Sequence, residues 1–343
     1  MTDRSLKDQA WELFDEIVAQ AAFRDVTPWR QLRDGLRYEP DYDTLCRLLG
    51  VPLFLTASSQ SGVPAIALDV WTSYELRRAG FDSDRVWPRP SAPRVLPRDV
   101  AMFVDSLPKG LRDQVWDRLA RGQSGGTASA SANLLGKNYV KQVDVVMSAW
   151  QTGPELMIST KRMDSSFGKN AANRVEESYG DAKNLSLRHP RSALGFLYSL
   201  RSTAFATERD TADGLVDLLT KLGREDDAYD AVGLVVPEWG GVPSAADDSG
   251  EAEEAAPIAV DPVMDPVVSD VATAADGGSG IEDDLEVAAV IEQLPEVTLR
   301  HDFVPYELSP GRFFEVMVKT VLDNSPIKFH KEARVKMRAA EGQ

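Results

Sequence analysis

The run from Val140 to Met163, VKQVDVVMSAW-QTGP-ELMISTKRM, constrains the fold of this chain more than any other stretch. Two β-rich segments flank Gln151-Thr152-Gly153-Pro154, which has strong turn chemistry, so the run reads as an antiparallel hairpin. A four-residue loop would set Trp150 opposite Glu155 and Asp144 directly opposite Lys161. Opposed residues of antiparallel strands project to the same face. The period of two adds Met157 and Ser159 to that face. Val143, Val145, Met147, Leu156 and Ile158 supply apolar anchors. The next stretch, DSSFGKNAANRVEESYGDAKN, is predicted to be a helix capped by Ser165 or Ser166. Ala171, Val175 and Tyr179 give it an apolar stripe, and Glu176 and Glu177 come after its first turns.

An aspartate facing a lysine across a hairpin is ordinarily an exposed ion pair of little energetic weight. The residues downstream of this pair change its meaning. Lys161, Arg162, Lys169, Arg174, Lys183, Arg188, Arg191 and Arg201 crowd into one span, and residues 111–210 hold 14 basic against 10 acidic side chains. A carboxylate–lysine group beside a cationic helix suits a phosphodiester substrate.

These residues resemble the PD-(D/E)XK nuclease superfamily. In that superfamily an Asp on one strand and an acidic-x-Lys tripeptide on the next bind a divalent metal and a water. The matching residues are Asp144 and Ser159-Thr160-Lys161. Ser159 stands where the second carboxylate usually stands, and Val143 precedes Asp144 in place of Pro. This is similar to a subset of restriction endonucleases in which Ser precedes x-Lys and the carboxylate comes from the following helix. Glu176 is the closer match to that position, with Glu177 the alternative.

The resemblance covers roughly residues 130–205 and implies an α/β (α+β) fold. Its restriction-endonuclease-like core would be a mixed sheet flanked by helices. The implied activity is Mg²⁺-dependent DNA endonuclease, with Mn²⁺ able to substitute, in bacterial restriction or phage defence. Asp144 and Glu176 (or Glu177) would hold the metal, Lys161 would position the attacking water, and Ser159 would hydrogen-bond a water of the site. Arg162, Lys169, Arg174, Lys183 and Arg188 would contact DNA. Besides DNA, the expected partners are a second copy of the chain and a defence-system subunit. Ser159 keeps a different class open: a non-catalytic DNA-binding or assembly subunit on a degenerate nuclease fold.

The formal net charge of −16, if spread evenly, would argue against any nucleic-acid partner. It is not spread evenly. From Glu225 to Arg300 there are 20 acidic residues and one basic, so the remainder is mildly basic. The single cysteine, Cys46, excludes an internal disulfide and a cysteine-rich zinc site. His189, His301 and His330 lie far apart in sequence, so a divalent cation is expected on carboxylates. The opening MTDRSLKDQAWELFDE lacks a basic-then-apolar signal pattern, and no apolar run is long enough to span a membrane. A cytoplasmic location is the expectation.

The composition divides the chain into an N-terminal, mostly helical domain (1–98), a nuclease-like core (99–240), an acidic linker (241–283) and a small C-terminal helical segment (284–343). Helices are expected at 5–22, around 29–36 and 42–49, and at 66–80, 193–200, 211–222, 285–294 and 310–322. Short strands are expected at PLFLTAS and at 232–239. The arginine- and proline-rich stretch 85–98 reads as a surface connector or as a cationic arm for a phosphate backbone. The acidic linker reads as a spacer, a partner-docking segment, or an occupant of the basic cleft in the absence of DNA.

Overall fold

The computed structural model describes residues 5–121, 132–165, 167–240 and 287–341, apart from the side chains of residues 60 and 169–174. The expected cap at Ser166 and the expected linker at 241–283 lie outside the described residues.

The chain begins with α1 (Leu6–Ala19), whose Ser5 cap accepts a hydrogen bond from the Asp8 N–H at 3.2 Å. Ala10, Leu13, Phe14 and Ile17 form its buried stripe. Residues around 29–36, read as helical from sequence, fall instead in the hairpin β1 (Trp29–Leu32) and β2 (Gly35–Tyr38). Its tight connection is made by Arg33-Asp34, with Gly35 at φ +128°, a backbone state other residues rarely adopt. Helix α2 (Tyr42–Phe54) starts on an Asp41 cap and runs through Pro52, which displaces the strand expected in PLFLTAS. Helix α3 (Val63–Arg78) matches the sequence expectation and is buried around most of its circumference.

The main sheet has five strands in the order β3 (Val86–Trp87), β6 (Val145–Ala149), β7 (Gly153–Met163), β8 (Ala193–Leu200) and β9 (Ala231–Val235). The first three are antiparallel and the last three parallel. Between β3 and β6 lie α4 (Arg98–Asp105), α5 (Lys109–Ala120) and the small hairpin β4 (Ala132–Leu135) and β5 (Val140–Val143). The parallel strands are joined by α6 (Phe167–Ser186), then by α7 (Thr203–Thr207) and α8 (Arg209–Leu222). A two-residue ladder pairs β10 (Pro237–Glu238) with β11 (Thr298–Leu299), ahead of α9 (Pro310–Asn324) and α10 (Lys331–Glu341). The molecule is therefore a mixed sheet flanked by helices.

Alternation along the strands sorts their side chains into two cores. Val145, Met147, Leu156, Ile158, Ala193 and Leu197 pack with α1, α2, α3 and α9 in one apolar cluster. Val146, Met157, Leu194, Phe196 and Tyr198 pack on the other face with α6 and α8. The N-terminal helices and the C-terminal helices thus share one core with the sheet. Helix α9 approaches closely because two strand positions are glycine. A Cβ on Gly195 would lie 2.9 Å from Phe313 Cζ, and one on Gly233 would lie 3.1 Å from Phe313 Cβ.

The structure corrects three further expectations. Residues 193–200 are the strand β8 and not a helix. Every residue of ALGFLYSL is buried, and a strand covered on both faces loses its polar–apolar alternation. The β6–β7 turn is also tighter than expected. Gly153 takes φ +70° and pairs with Ala149, and a bulge follows Met147. Val145 therefore faces Ile158, which moves the register by two residues from the expected pairing. A shift of two preserves the face, although Asp144 now extrapolates toward Ser159 and not Lys161. The arginine-rich stretch is no free arm either. Val86 and Trp87 form the edge strand β3, and the arginines face carboxylates of the same chain: Arg89 with Asp84 (2.8 Å), Arg94 with Asp15 (2.7 Å) and Arg98 with Asp82 (2.8 Å).

Candidate active site

Asp144 sits at the bend between β5 and β6, one residue before the β6 ladder begins. Strand β7 runs past that end, from the Ile158 pair onward to Met163. The Thr160 N–H beyond the ladder is taken up by the Asp144 side chain, donating to its Oδ2 at 2.8 Å. Thr160 is also the residue whose side chain turns toward α3. Its Oγ1 donates to Asp69 Oδ1 at 2.5 Å. One threonine thereby links two carboxylates from distant parts of the sequence.

Asp69 is partly buried on the helix that packs against β7. Burial first, and then the neighbouring Asp144 charge, push its carboxyl well above the usual carboxylate range. The Thr160 hydroxyl and the charge of Lys161 act in the opposite direction. Asp69, Asp144 and Lys161 thus form one electrostatic group at the end of β7. Ser159, between them in sequence, is buried.

Sequence reasoning missed Asp69. Its signal was present in IALDVWTSYEL, where Asp69 follows Ile66-Ala67-Leu68 and precedes Val70-Trp71 in a largely apolar helix. An ionisable group in such a helix needs a partner or a task. Only the packing of α3 on β7 supplies the partner.

Glu176 and Glu177 are exposed along α6. Two of the expected DNA contacts are engaged within the chain. Arg162 has a side chain 5% exposed, bonds Asp164 at 2.8 Å and the Pro64 carbonyl at 3.1 Å, and lies over the Trp239 ring. Lys183 pairs with Asp227. Arg188 is exposed, and the side chains of Lys169 and Arg174 lie outside the described residues. Asn184 is likewise internal. Its amide braces the β4–β5 turn, accepting from the Asn138 N–H at 2.8 Å and donating to the Tyr139 carbonyl at 3.0 Å.

The donor set suits a hard divalent cation. Two carboxylates held through a common residue repel one another, and this repulsion adds to the larger effect of burial on the Asp69 carboxyl. Among the described residues no group of three or more His, Cys, Asp or Glu side chains could hold a metal ion. Mg²⁺ does not require one, because it is commonly held by one or two carboxylates together with waters and substrate phosphates. No helix among the described residues is long and apolar enough to cross a membrane. Comparisons with protein-family models, with curated proteins and with solved structures find no match to this chain.

Proposed function

We propose that this chain is a Mg²⁺-dependent DNA endonuclease, with Mn²⁺ able to substitute, acting in restriction or phage defence. The observation that carries the reading is the Asp144–Thr160–Asp69 chain of hydrogen bonds with Lys161 adjoining it. Asp144 and Asp69 are the residues that would hold the cation, Asp69 taking the part expected of Glu176. The cation, when bound, supplies charge stabilisation for a phosphoryl centre. Lys161 offsets the negative charge that develops on phosphate oxygens and orients the attacking water. Thr160 fixes the spacing of the two carboxylates through its backbone and side chain together.

The test is cleavage of modified and unmodified plasmid DNA with Mg²⁺, Mn²⁺ or EDTA, by the wild type and by Asp144→Asn. Metal-dependent nicking or linearisation that disappears in the variant supports the reading. Equal cleavage by the two proteins removes it.

A second reading is favoured by a different observation. Arg162 and Lys183, expected on DNA, are engaged inside the chain, and Ser159 is buried. A non-catalytic DNA-binding or assembly subunit on a degenerate nuclease fold would look this way. That reading predicts that DNA binding is indifferent to Mg²⁺ and that no substrate is cut.

A further inference from the structure

A cavity of about 500 Å³ lies between α1, α3, the arginine–proline stretch and α10, and none of Asp69, Asp144, Thr160 and Lys161 lines it. Trp11, Pro88 and Pro90 give its wall apolar surface, with Arg94 lying over one side of the Trp11 ring. Much of the remaining wall is charged, and most of its cations are paired. Arg24 pairs with Asp25 at 3.4 Å, Arg78 with Glu75 at 2.7 Å, Arg89 with Asp84 at 2.8 Å and Lys336 with Glu332 at 3.1 Å.

Arg77 is the exception among the described residues of that wall. Its Nη1 donates to Ser73 Oγ at 3.2 Å, and its Nη2 to the carbonyls of Val86 and Pro88, all neutral acceptors. Its Nε is buried and has no hydrogen-bond partner. A guanidinium removed from water without a carboxylate is costly, because neutral acceptors do not neutralise its charge. Burial, and then the Arg94 charge, pull its pKa down to about 9, while the more distant carboxylates of Asp15 and Asp84 act in the opposite direction. Asp15 and Asp84 are bonded to Arg94 and Arg89, so an anion placed in the cavity beside Arg77 would give it a directly bonded counter-charge.

The cavity chemistry narrows the anion. Its volume lies in the range of small-molecule sites. The aromatic and proline faces suit a flat ring. Asp15, Glu16 and Asp25 on the same wall would repel a polyanion but accept hydrogen bonds from hydroxyl and amine groups. A single anionic head, a flat ring and several donors together describe a nucleoside monophosphate. We propose that this cavity binds a nucleoside monophosphate, with its phosphate on Arg77 and its ring between the α1 and proline walls. The site is separate from the Asp144 group and does not depend on the nuclease reading.

The experiment is calorimetric titration of the full chain in EDTA with AMP, adenosine and inorganic phosphate. AMP is expected to bind, with adenosine and phosphate each at least about tenfold weaker, since each lacks half of the recognised groups. Arg77→Gln should weaken AMP by about tenfold or more. Arg77 also bonds the chain around Pro88, so Ala19→Trp, which narrows the cavity from an exposed position, is the second variant. It should also weaken AMP, whereas Asp144→Asn should bind AMP as the wild type does. Absence of AMP binding by the wild type overturns the proposal. So does undiminished binding in Ala19→Trp, or loss of binding in Asp144→Asn.

Discussion

Asp69 and Asp144 lie 75 positions apart in sequence, yet both carboxylates hydrogen-bond Thr160, one through its hydroxyl and the other through its backbone N–H. Neither contact is local. The first requires α3 to lie on the sheet, and the second requires β7 to outrun β6. This shared anchor defines the candidate metal centre and separates its requirements from those of the exposed glutamates on α6.

Substitutions should divide the carboxylates. Asp69→Asn and Asp144→Asn are each expected to lower the metal-dependent cleavage rate by about a hundredfold or more, the scale of losing one charge-stabilising group. Glu176→Gln and Glu177→Gln should stay within about threefold of wild type, because both side chains face solvent. Initial rates on plasmid DNA, with circular dichroism as the folding control, decide between them. A large loss in Glu176→Gln with Asp69→Asn fully active would return the second ligand to α6.

The raised carboxyl of Asp69 makes a stability prediction with a definite sign. A carboxyl whose folded-state pKa lies above its unfolded value binds its proton more tightly when folded. Its favourable contribution is present in acid and is lost as pH rises from the unfolded pKa through the folded one. In EDTA, wild-type stability relative to Asp69→Asn should fall across that window, by at most about 1.4 kcal/mol per pH unit. Urea unfolding at a series of pH values measures it. Parallel curves for the two proteins would show that Asp69 does not titrate abnormally.

A buried contact at the opposite end of β7 should matter for stability and not for chemistry. His330 Nε2 lies 2.5 Å from Glu155 Oε2, with side chains only 2% and 7% exposed, and Arg85 lies 3.8 Å from the other carboxylate oxygen. Burial works to raise the Glu155 carboxyl, but His330, Thr152 and Arg85 outweigh it and hold it below the usual range. A depressed carboxylate contributes stability above its unfolded pKa and loses it as pH falls through the folded value. His330→Gln is expected to cost about 1–3 kcal/mol, the scale of taking a hydrogen-bonding partner from a buried polar group. Chemical denaturation near neutral pH tests this, and a change below about 0.5 kcal/mol would remove the contact from the list of stabilising interactions.

Gly195→Ala probes the close approach of α9. The new Cβ would sit 2.9 Å from Phe313 Cζ and 3.0 Å from both Met317 Cε and Ile158 Cγ1. Overpacking of this kind costs about 1–3 kcal/mol. A lowered unfolding midpoint in denaturant, partly restored by adding Met317→Ala, is the expected result; an unchanged midpoint would mean that α9 moves away without cost.

Patterns that repeat over short distances were legible in the chain. The stripe of α1, the extent of α3, the existence of the β6–β7 hairpin and the shared face of its residues all follow from local periodicity and turn chemistry. The face survived even though the register moved, because the pleat repeats every two residues and the shift was two. The failures have equally specific causes. Strand β8 is buried on both sides, so its apolar run carries no period that separates strand from helix. The arginines of 85–98 read as a free cationic surface because their partners Asp15, Asp82 and Asp84 could be identified only in the folded chain.

By itself the sequence determined that a hairpin would close around Gln151-Thr152-Gly153 with alternating faces on its strands, since turn chemistry and strand alternation are properties of a few consecutive residues. Only the tertiary structure decided that Asp69 joins Asp144, that Arg162 turns inward against Asp164 and Trp239, and that Arg77 bonds only neutral acceptors beside a cavity. Charges act through space, and which of them become neighbours is set by how helices dock on a sheet, information no local pattern contains.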